Sequence, residues 1–453
     1  MATYSQAPST PGIVFAKDYS LINLTMLTAV DTIDLKSILT ELSYHEDLFG
    51  STASGYLMIV DSMGYIENLN LNGNEYIRMT FGKTSDNINW IDKLFRVYKV
   101  DKRKPEGSGS TESYSFYFCS EELLLSEQYK VSKSYSNSTI STNIIDILNN
   151  YLKVPAKKIG TIEATTGVYD FIVPNIKPFD AINWMSTYAR PATKNLGADM
   201  VFFEDKVGFN FRSIQSLMSG PVYHNYSYSP KNLDKKAQPI NSQVYNVTTY
   251  EIMDSYDSLG AINSGMFANQ LISVDVLTRS YKATNFNYTN SVKPVLNPNQ
   301  ISNNLNNRFG NSLNQTPQAV LKLVFSNFNE NDSSYIKGKP GSVAHNIYAE
   351  TYIPYRTAQM ALYNYMRVKI SVPGDPGLTV GQVIGFSLLS KNPNQKEPDN
   401  FYSGNYLITA VRHMISMSEY KTVIEIAKES TVKPYVAVDN TSGLWKNSVQ
   451  GII

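Results

Sequence analysis

Residues 366–390, MRVKISVPGDPGLTVGQVIGFSLLS, carry a sharp hydrophobic pattern. Met366, Val368, Ile370 and Val372 alternate with Arg367, Lys369 and Ser371, the period-2 signature of a half-buried strand. Pro373, Gly374, Asp375, Pro376 and Gly377 follow. They supply a fixed φ, a free φ and a short acceptor side chain, so the chain must turn there. Gly381-Gln382 turns it again into Val383, Ile384 and Phe386. Pro373, Gly374, Asp375, Gly377 and Gly381 are therefore structural candidates that set the register of two strands, joined by Gly404 and Tyr406 of the strand SGNYLITAVRHMI.

The same alternation recurs upstream. GYLMIVDS (55–62) is an apolar run, and EYIRMTFG (75–82) places Tyr76, Arg78 and Thr80 on one face. LFRVYKVDKR and ESYSFYFCS flank the glycine-bearing KPEGSGST and predict a long hairpin. Near residue 138 the period changes. STNIIDILNNYL puts Ile144, Ile147, Leu148, Tyr151 and Leu152 at helical spacing behind Ser141 as N-cap. KPFDAINWMSTYARP predicts a second helix, entered at Pro178 and stopped by Pro191. ADMVFFEDKVGFNFRS returns to strand, turn and strand. Beyond 240, QVYNVTTYEIM and NQLISVDVLTRSY predict strands with a short connection, and TAQMALYNYM (357–366) a helix. NYLITAVRHMISMSEYKTVIEIAKES predicts two strands around a Ser-Met-Ser-Glu turn.

The expected organisation is an N-terminal arm (1–20), a first β-rich unit (21–137), a small α/β module (138–220), a second β-rich unit (221–430) and a polar tail (431–453). Residues 285–345, rich in Asn, Ser, Pro and Gly, are expected as long loops. Two β-rich units of similar size suggest a duplicated barrel. At 453 residues the chain suits about two to four domains. Its single cysteine excludes an intrachain disulfide framework. Lys+Arg 40 against Asp+Glu 39 excludes a basic nucleic-acid footprint. No apolar run approaches the length of a membrane span, and MATYSQAPSTPG lacks the features of a signal peptide, so neither is expected. Tyrosine is abundant, at 32 residues, and suits pleated, partly wet surfaces and subunit contacts.

Motifs that carry chemistry fail on inspection. Gly82-Lys83-Thr84 lacks the glycine that a phosphate loop needs at 77, where Ile77 stands. Asn327, Asn329 and Asn331 resemble the start of a calcium loop, but Asp332 replaces the turn glycine and Gly338 the closing glutamate. His45, His224, His345 and His413 are scattered, without metal spacing. Cys119 reads as a small apolar strand residue. Glu121, Glu122, Glu204, Asp205 and Glu425 are the carboxylates weighed for a cell-wall hydrolase, which needs two of them across a cleft. Glu121-Glu122 and Glu204-Asp205 sit where acids serve caps and turns. No catalytic, metal or cofactor site is expected.

Three stretches together resemble the central hub of contractile-tail phage baseplates, a fold shared with the base of type VI secretion spike proteins. They are FRVYKVDKR…ESYSFYFCSEELLLSEQYKVSKSYSNSTISTNIIDILNNYL, then FDAINWMSTYARP…MVFFEDKVGFNFRSI, then GMFANQLISVDVLTRSY through VPGDPGLTVGQVIGF to SGNYLITAVRHMI…YKTVIEIAKES. The resemblance implies a β-rich α+β fold, with two tube-type antiparallel β-barrel domains and an inserted α/β module, assembling as a trimeric ring. Its partners would be two further copies of itself, the central spike, the tail tube or its initiator, and tape-measure and wedge proteins. DNA would only pass through, and the protein would sit in the virion's tail baseplate after synthesis in the bacterial cytoplasm. Residues 285–345 depart from any fixed pattern of the family. Trp445, amid polar residues, is a candidate docking anchor. Competing readings are the hub of a contractile injection system or tailocin, a wall-degrading enzyme and a glycan-binding tail protein.

Overall fold

The computed structural model describes residues 20–432, apart from 30, 69–70, 83–89, 108–110, 194–196, 229–244, 256, 276–278, 288–295, 298–320, 326–348, 364 and 391–397. All of the arm but Ser20, the calcium-like loop, His345 and Trp445 lie outside the described residues, as does nearly all of the polar tail.

The first β-rich region consists of β1 (Ser20–Leu27), β2 (Thr32–Asp34), β3 (Leu39–Asp47), β4 (Ser54–Asp61), β5 (Tyr76–Gly82), β6 (Ile91–Pro105) and β7 (Glu112–Cys119). They pair antiparallel in the order β3-β4-β7-β6-β5-β1-β2. The alternation read in the sequence holds: Ile77, Met79 and Phe81 are buried, while Arg78 is exposed and Tyr76 and Thr80 are half-buried. Their core gathers Leu24, Leu42, Tyr44, Leu57, Phe95 and Phe118, and it also takes Ile415 and Tyr420 from the far end of the chain.

The intervening module comprises β8 (Val131–Ser138), β9 (Ile159–Ile162), β10 (Tyr169–Ile176), β11 (Met200–Glu204) and β12 (Phe209–Ser213), with helices at Ile140–Asn150 and Pro178–Ser186. The strand β8 begins inside the expected 21–137 unit, yet it pairs with β10 and contributes Val131 and Tyr135 to the module's core. The first helix is capped by Thr139, not by Ser141. The Thr139 hydroxyl accepts the Thr142 N–H, while the Ser141 hydroxyl accepts from Thr165, so the earlier residue satisfies the helix terminus. The second helix ends at Ser186, five residues before Pro191.

After the module come β13 (Val222–Tyr228), β14 (Thr249–Asp254), β15 (Ala268–Asp275), β16 (Ser280–Asn287) and β17 (Leu321–Phe325). The strands β15, β16 and β17 form their own sheet, so a strand stands inside the stretch expected as loops. A helix at Ser258–Asn263 lies in the connection expected to be short. The helix expected at 357–366 spans Ala349–Tyr363 instead, with Pro354 inside it. It begins earlier because Tyr352, ahead of the expected start, is buried with Ala198 and Leu271, so packing overrides the local penalty of proline. The chain finishes with β18 (Met366–Pro373), β19 (Val383–Leu388), β20 (Gly404–Ser416) and β21 (Tyr420–Lys428).

The strands β13, β19, β20, β21, β18 and β14 pair in that order. A bridge between Ser227 and Asn246, just ahead of β14, closes the ring back onto β13. Its core includes Val368, Ile370, Val383, Phe386, Tyr406 and Ile424. The fold is thus strand-rich, with large antiparallel sheets around separate cores.

Candidate functional site

The two β-rich regions are joined through β20. Along one edge it pairs with β21 from Leu407 to Ile415. Along the other, its first residues pair with β19 and its last with β3, from Ala410↔Asp47 to Ser416↔Glu41. The switch falls at Thr409, where the register shifts and the Thr409 carbonyl accepts the Leu48 N–H at 2.8 Å. The buried face of the strand changes core along its length: Leu407, Ile408 and Val411 serve the second and Ile415 the first. A bulge suits such a point because it lets one strand bend between two curved sheets.

The turn Pro373–Gln382 folds over this switch. The Gly381 N–H donates to the Ile408 carbonyl at 3.0 Å, and the Ile408 N–H donates to the Gln382 carbonyl at 2.9 Å. Asp375 receives the Gly377 N–H at 2.9 Å and the Tyr226 hydroxyl at 3.2 Å, while its own N–H donates to Thr422 Oγ1 at 3.0 Å. Two glycines here answer to close approach. A Cβ on Gly374 would lie 2.1 Å from the Tyr420 ring, and one on Gly377 would lie 1.9 Å from the Tyr223 hydroxyl oxygen. Pro373 ends β18 opposite Lys421. Gly381 adopts φ +81° and Gly404 φ +137°, both in the region that favours glycine. Tyr406 is fully buried and donates to the Tyr402 carbonyl at 2.5 Å. Pro373, Gly374, Asp375, Gly377 and Gly381 thus come together at the junction. Gly404 and Tyr406 lie at the start of β20, opposite Phe386 and Ile384 of β19 and beside Asn297, whose amide donates to the Asn405 carbonyl at 3.2 Å.

Beneath the turn lies a cluster of buried ionisable groups drawn from the first β-rich region and the module. Lys93 of β6 is 6% exposed and donates to Glu204 Oε1 at 3.1 Å and to the Asp205 carbonyl at 2.8 Å. The other oxygen of Glu204 receives the Ala53 N–H at 2.9 Å and the Ser120 hydroxyl at 2.5 Å. Asp205 holds the turn after β11 by accepting the Val207 and Gly208 N–H groups, each at 2.8 Å. Burial raises its pKa above the usual carboxylate range. Glu46 of β3 receives the Tyr44 hydroxyl at 2.9 Å, the Val380 N–H at 3.1 Å and the Thr379 hydroxyl. Burial, seconded by the nearby Asp205 charge, pushes the Glu46 carboxyl up to about 7. The module and both β-rich regions are therefore tied by hydrogen-bonded charge rather than by apolar packing alone.

Other ionisable candidates resolve into structural roles. Glu121 receives the Tyr76 hydroxyl at 2.5 Å, and Glu122 pairs with Lys158 at 2.8 Å. Glu425 meets Arg367 and Thr409 on the outer sheet face. His413 is buried, stacks on Tyr44 and shares a hydrogen bond with the Tyr420 hydroxyl. Burial lowers its pKa to about 3, so it is neutral. Burial and then Arg412 lower His45 to about 4. His224 packs against the rings of Tyr223 and Tyr245. Burial pushes the Cys119 thiol up to about 12, which leaves it protonated and unreactive at neutral pH.

Sequence reasoning singled out the turn but missed Glu46 and Lys93. A signal was present. In Ile91-Asp92-Lys93-Leu94-Phe95 the lysine occupies the apolar phase of an alternating strand, and Glu46 follows Leu42 and Tyr44 in the same phase of β3. A charge at an inward position implies a buried partner from elsewhere.

No family model matches the sequence, and no curated protein matches it. Solved structures do match in fold. The tail protein from Neisseria meningitidis MC58 is 9% identical, with a TM-score of 0.51 over 92% of this chain and 99% of that one. The 43 kDa tail protein of prophage MuSo2 from Shewanella oneidensis is 8% identical, with a TM-score of 0.51 over 90% of this chain and 99% of that one. At such identities the likeness is one of fold, and it covers nearly the whole of each chain.

Proposed function

We propose that this chain is the structural hub of a phage tail baseplate. Three copies form a ring that adapts the six-fold tail tube to the three-fold central spike and leaves a channel for DNA. The observation that carries this reading is the end-to-end fold likeness to two tail proteins. The internal architecture supports it: two β-rich units per chain, sharing β20, give six such units in a trimer. That number is what a six-fold tube and a three-fold spike would both accept. The turn positions Pro373, Gly374, Asp375, Gly377 and Gly381 act as the corner that fixes the two units against each other. A formal charge of +1 suits a passage that DNA crosses without adhering. The partners on this reading are two further copies, the spike and the tube or its initiator, with tape-measure and wedge proteins around them. Trp445 would be an anchor for one of these.

A second reading keeps the fold and changes the machine, to the hub of a contractile injection system or tailocin. Neighbouring genes for a capsid and terminase would separate the two. Light scattering and negative-stain microscopy of the purified chain test the hub itself. The expected result is a three-fold ring with a central hole and three times the 50.8 kDa chain mass. A chain that stays monomeric both alone and when co-expressed with the adjacent spike gene would overturn it.

A further inference from the structure

We propose that Glu46 is the proton-controlled element of a latch that holds the inserted module and the Pro373–Gln382 turn on the first β-rich region. The inference stands apart from the hub reading and rests on the geometry of the junction.

Glu46 occupies a place where three separately built parts touch the same side chain or its immediate neighbours. From its own strand comes Tyr44; from the turn come the Thr379 hydroxyl and the Val380 N–H. From the module, the charges of Asp205 and Glu204 lie close behind, with Lys93 of β6 bonded to Glu204 and to the Asp205 carbonyl. Lys206 reaches over the same turn to the Gly377 carbonyl at 3.2 Å. On the β20–β21 side stand His413 and Tyr420, with Asp375 beyond them.

The charge count decides the behaviour. Glu46, Glu204 and Asp205 are three carboxyls against one buried ammonium, Lys93. Glu204 is the carboxylate that takes the ammonium directly, and Asp205 is held by two backbone N–H groups. Glu46 is left to gather only neutral donors next to a like charge. Such a site favours the neutral acid. The protonated carboxyl can donate to Thr379 Oγ1, keeping turn and strand joined without adding charge. Loss of the proton places a second uncompensated negative charge beside Asp205, and the latch weakens.

The sign follows from the direction of the shift. The acid's folded pKa of about 7 lies above its unfolded value near 4.5. Its contribution to holding the latch is therefore complete below about 4.5 and is lost as pH rises through about 7.

The test is hydrogen exchange of the full chain from pH 5 to pH 9, read by mass spectrometry and corrected for intrinsic exchange rates. Peptides covering 376–382 and 200–210 should open more readily by up to about a hundredfold across that range, with a midpoint near 7. In Glu46→Gln, which keeps the shape and stays neutral, the same peptides should show no such dependence. Infrared difference spectra of wild type against Glu46→Gln should show the protonated-carboxyl band of Glu46 at pH 5 and its loss at pH 9. Should Glu46→Gln fail to fold, Asp205→Asn replaces it, and the wild-type midpoint should then move downward. Protection that is flat with pH in the wild type overturns the proposal. So does a rise with the same midpoint in Glu46→Gln, or an unmoved midpoint in Asp205→Asn.

Discussion

Lys93 and Glu204 make a buried ion pair whose two members come from the first β-rich region and from the module. Glu204 is 1% exposed, and its second oxygen is filled by Ala53 and Ser120. Removing one partner strands the other charge in a low-dielectric interior, which costs about 3–5 kcal/mol. Replacing both with apolar groups removes the charges together and costs far less. Lys93→Met should therefore lower unfolding stability by about 3–5 kcal/mol in urea titration. Lys93→Met combined with Glu204→Leu should recover most of that loss. A double variant no more stable than the single one would show that the pair is not the unit of interaction. Residue-scale signals of this kind were partly legible in advance, because a lysine in the apolar phase of a strand announces a partner. The partner's identity was not legible, since 111 positions of chain separate Lys93 from Glu204.

At the scale of elements, β20 carries the architecture. One hydrogen-bonded edge passes from β19 to β3 at Thr409, so the two cores share a strand instead of meeting through a linker. A proline at 411 would remove a ladder hydrogen bond from a strand paired on both sides, between Ile424 and Glu46. Val411→Pro should lower stability by about 3 kcal/mol or more. Hydrogen exchange in β3 and β4 should rise in parallel with that in β18 and β21. If only the second set responds, the two regions unfold independently and the shared strand does not couple them. The strands themselves were readable from period-2 patterning, as β5 and β18 show. The helix at Ala349–Tyr363 was not read in full, because Pro354 argues locally against a helix that tertiary contacts nonetheless stabilise.

For the whole molecule, acid should be more damaging than composition suggests. His413 is buried neutral, with its pKa lowered to about 3, and His45 is lowered to about 4. An unfolded histidine binds its proton near 6.5, so the unfolded state takes up protons that the folded state refuses between these values. The contribution of these two histidines is complete above about 6.5 and falls progressively towards pH 4. Thermal unfolding at pH 7 and pH 4.5 should show a clear drop in Tm that His413→Asn reduces. An equal drop in His413→Asn would assign the acid loss to other groups. No helix among the described residues is long and apolar enough to cross a membrane.

The sequence by itself determined that the chain is β-rich with an α/β insertion, and where the turn at 373–381 must lie. Those are consequences of alternation, helical spacing and the backbone limits of proline and glycine, all of which act over a few residues. The tertiary structure alone decided that β20 belongs to two cores and that β8 belongs to the module. It also decided that Glu46, Lys93, Glu204 and Thr379 meet under one turn. Each of these depends on pairings between distant segments, which are chosen by burial and charge compensation summed over the folded chain. No local pattern carries that sum.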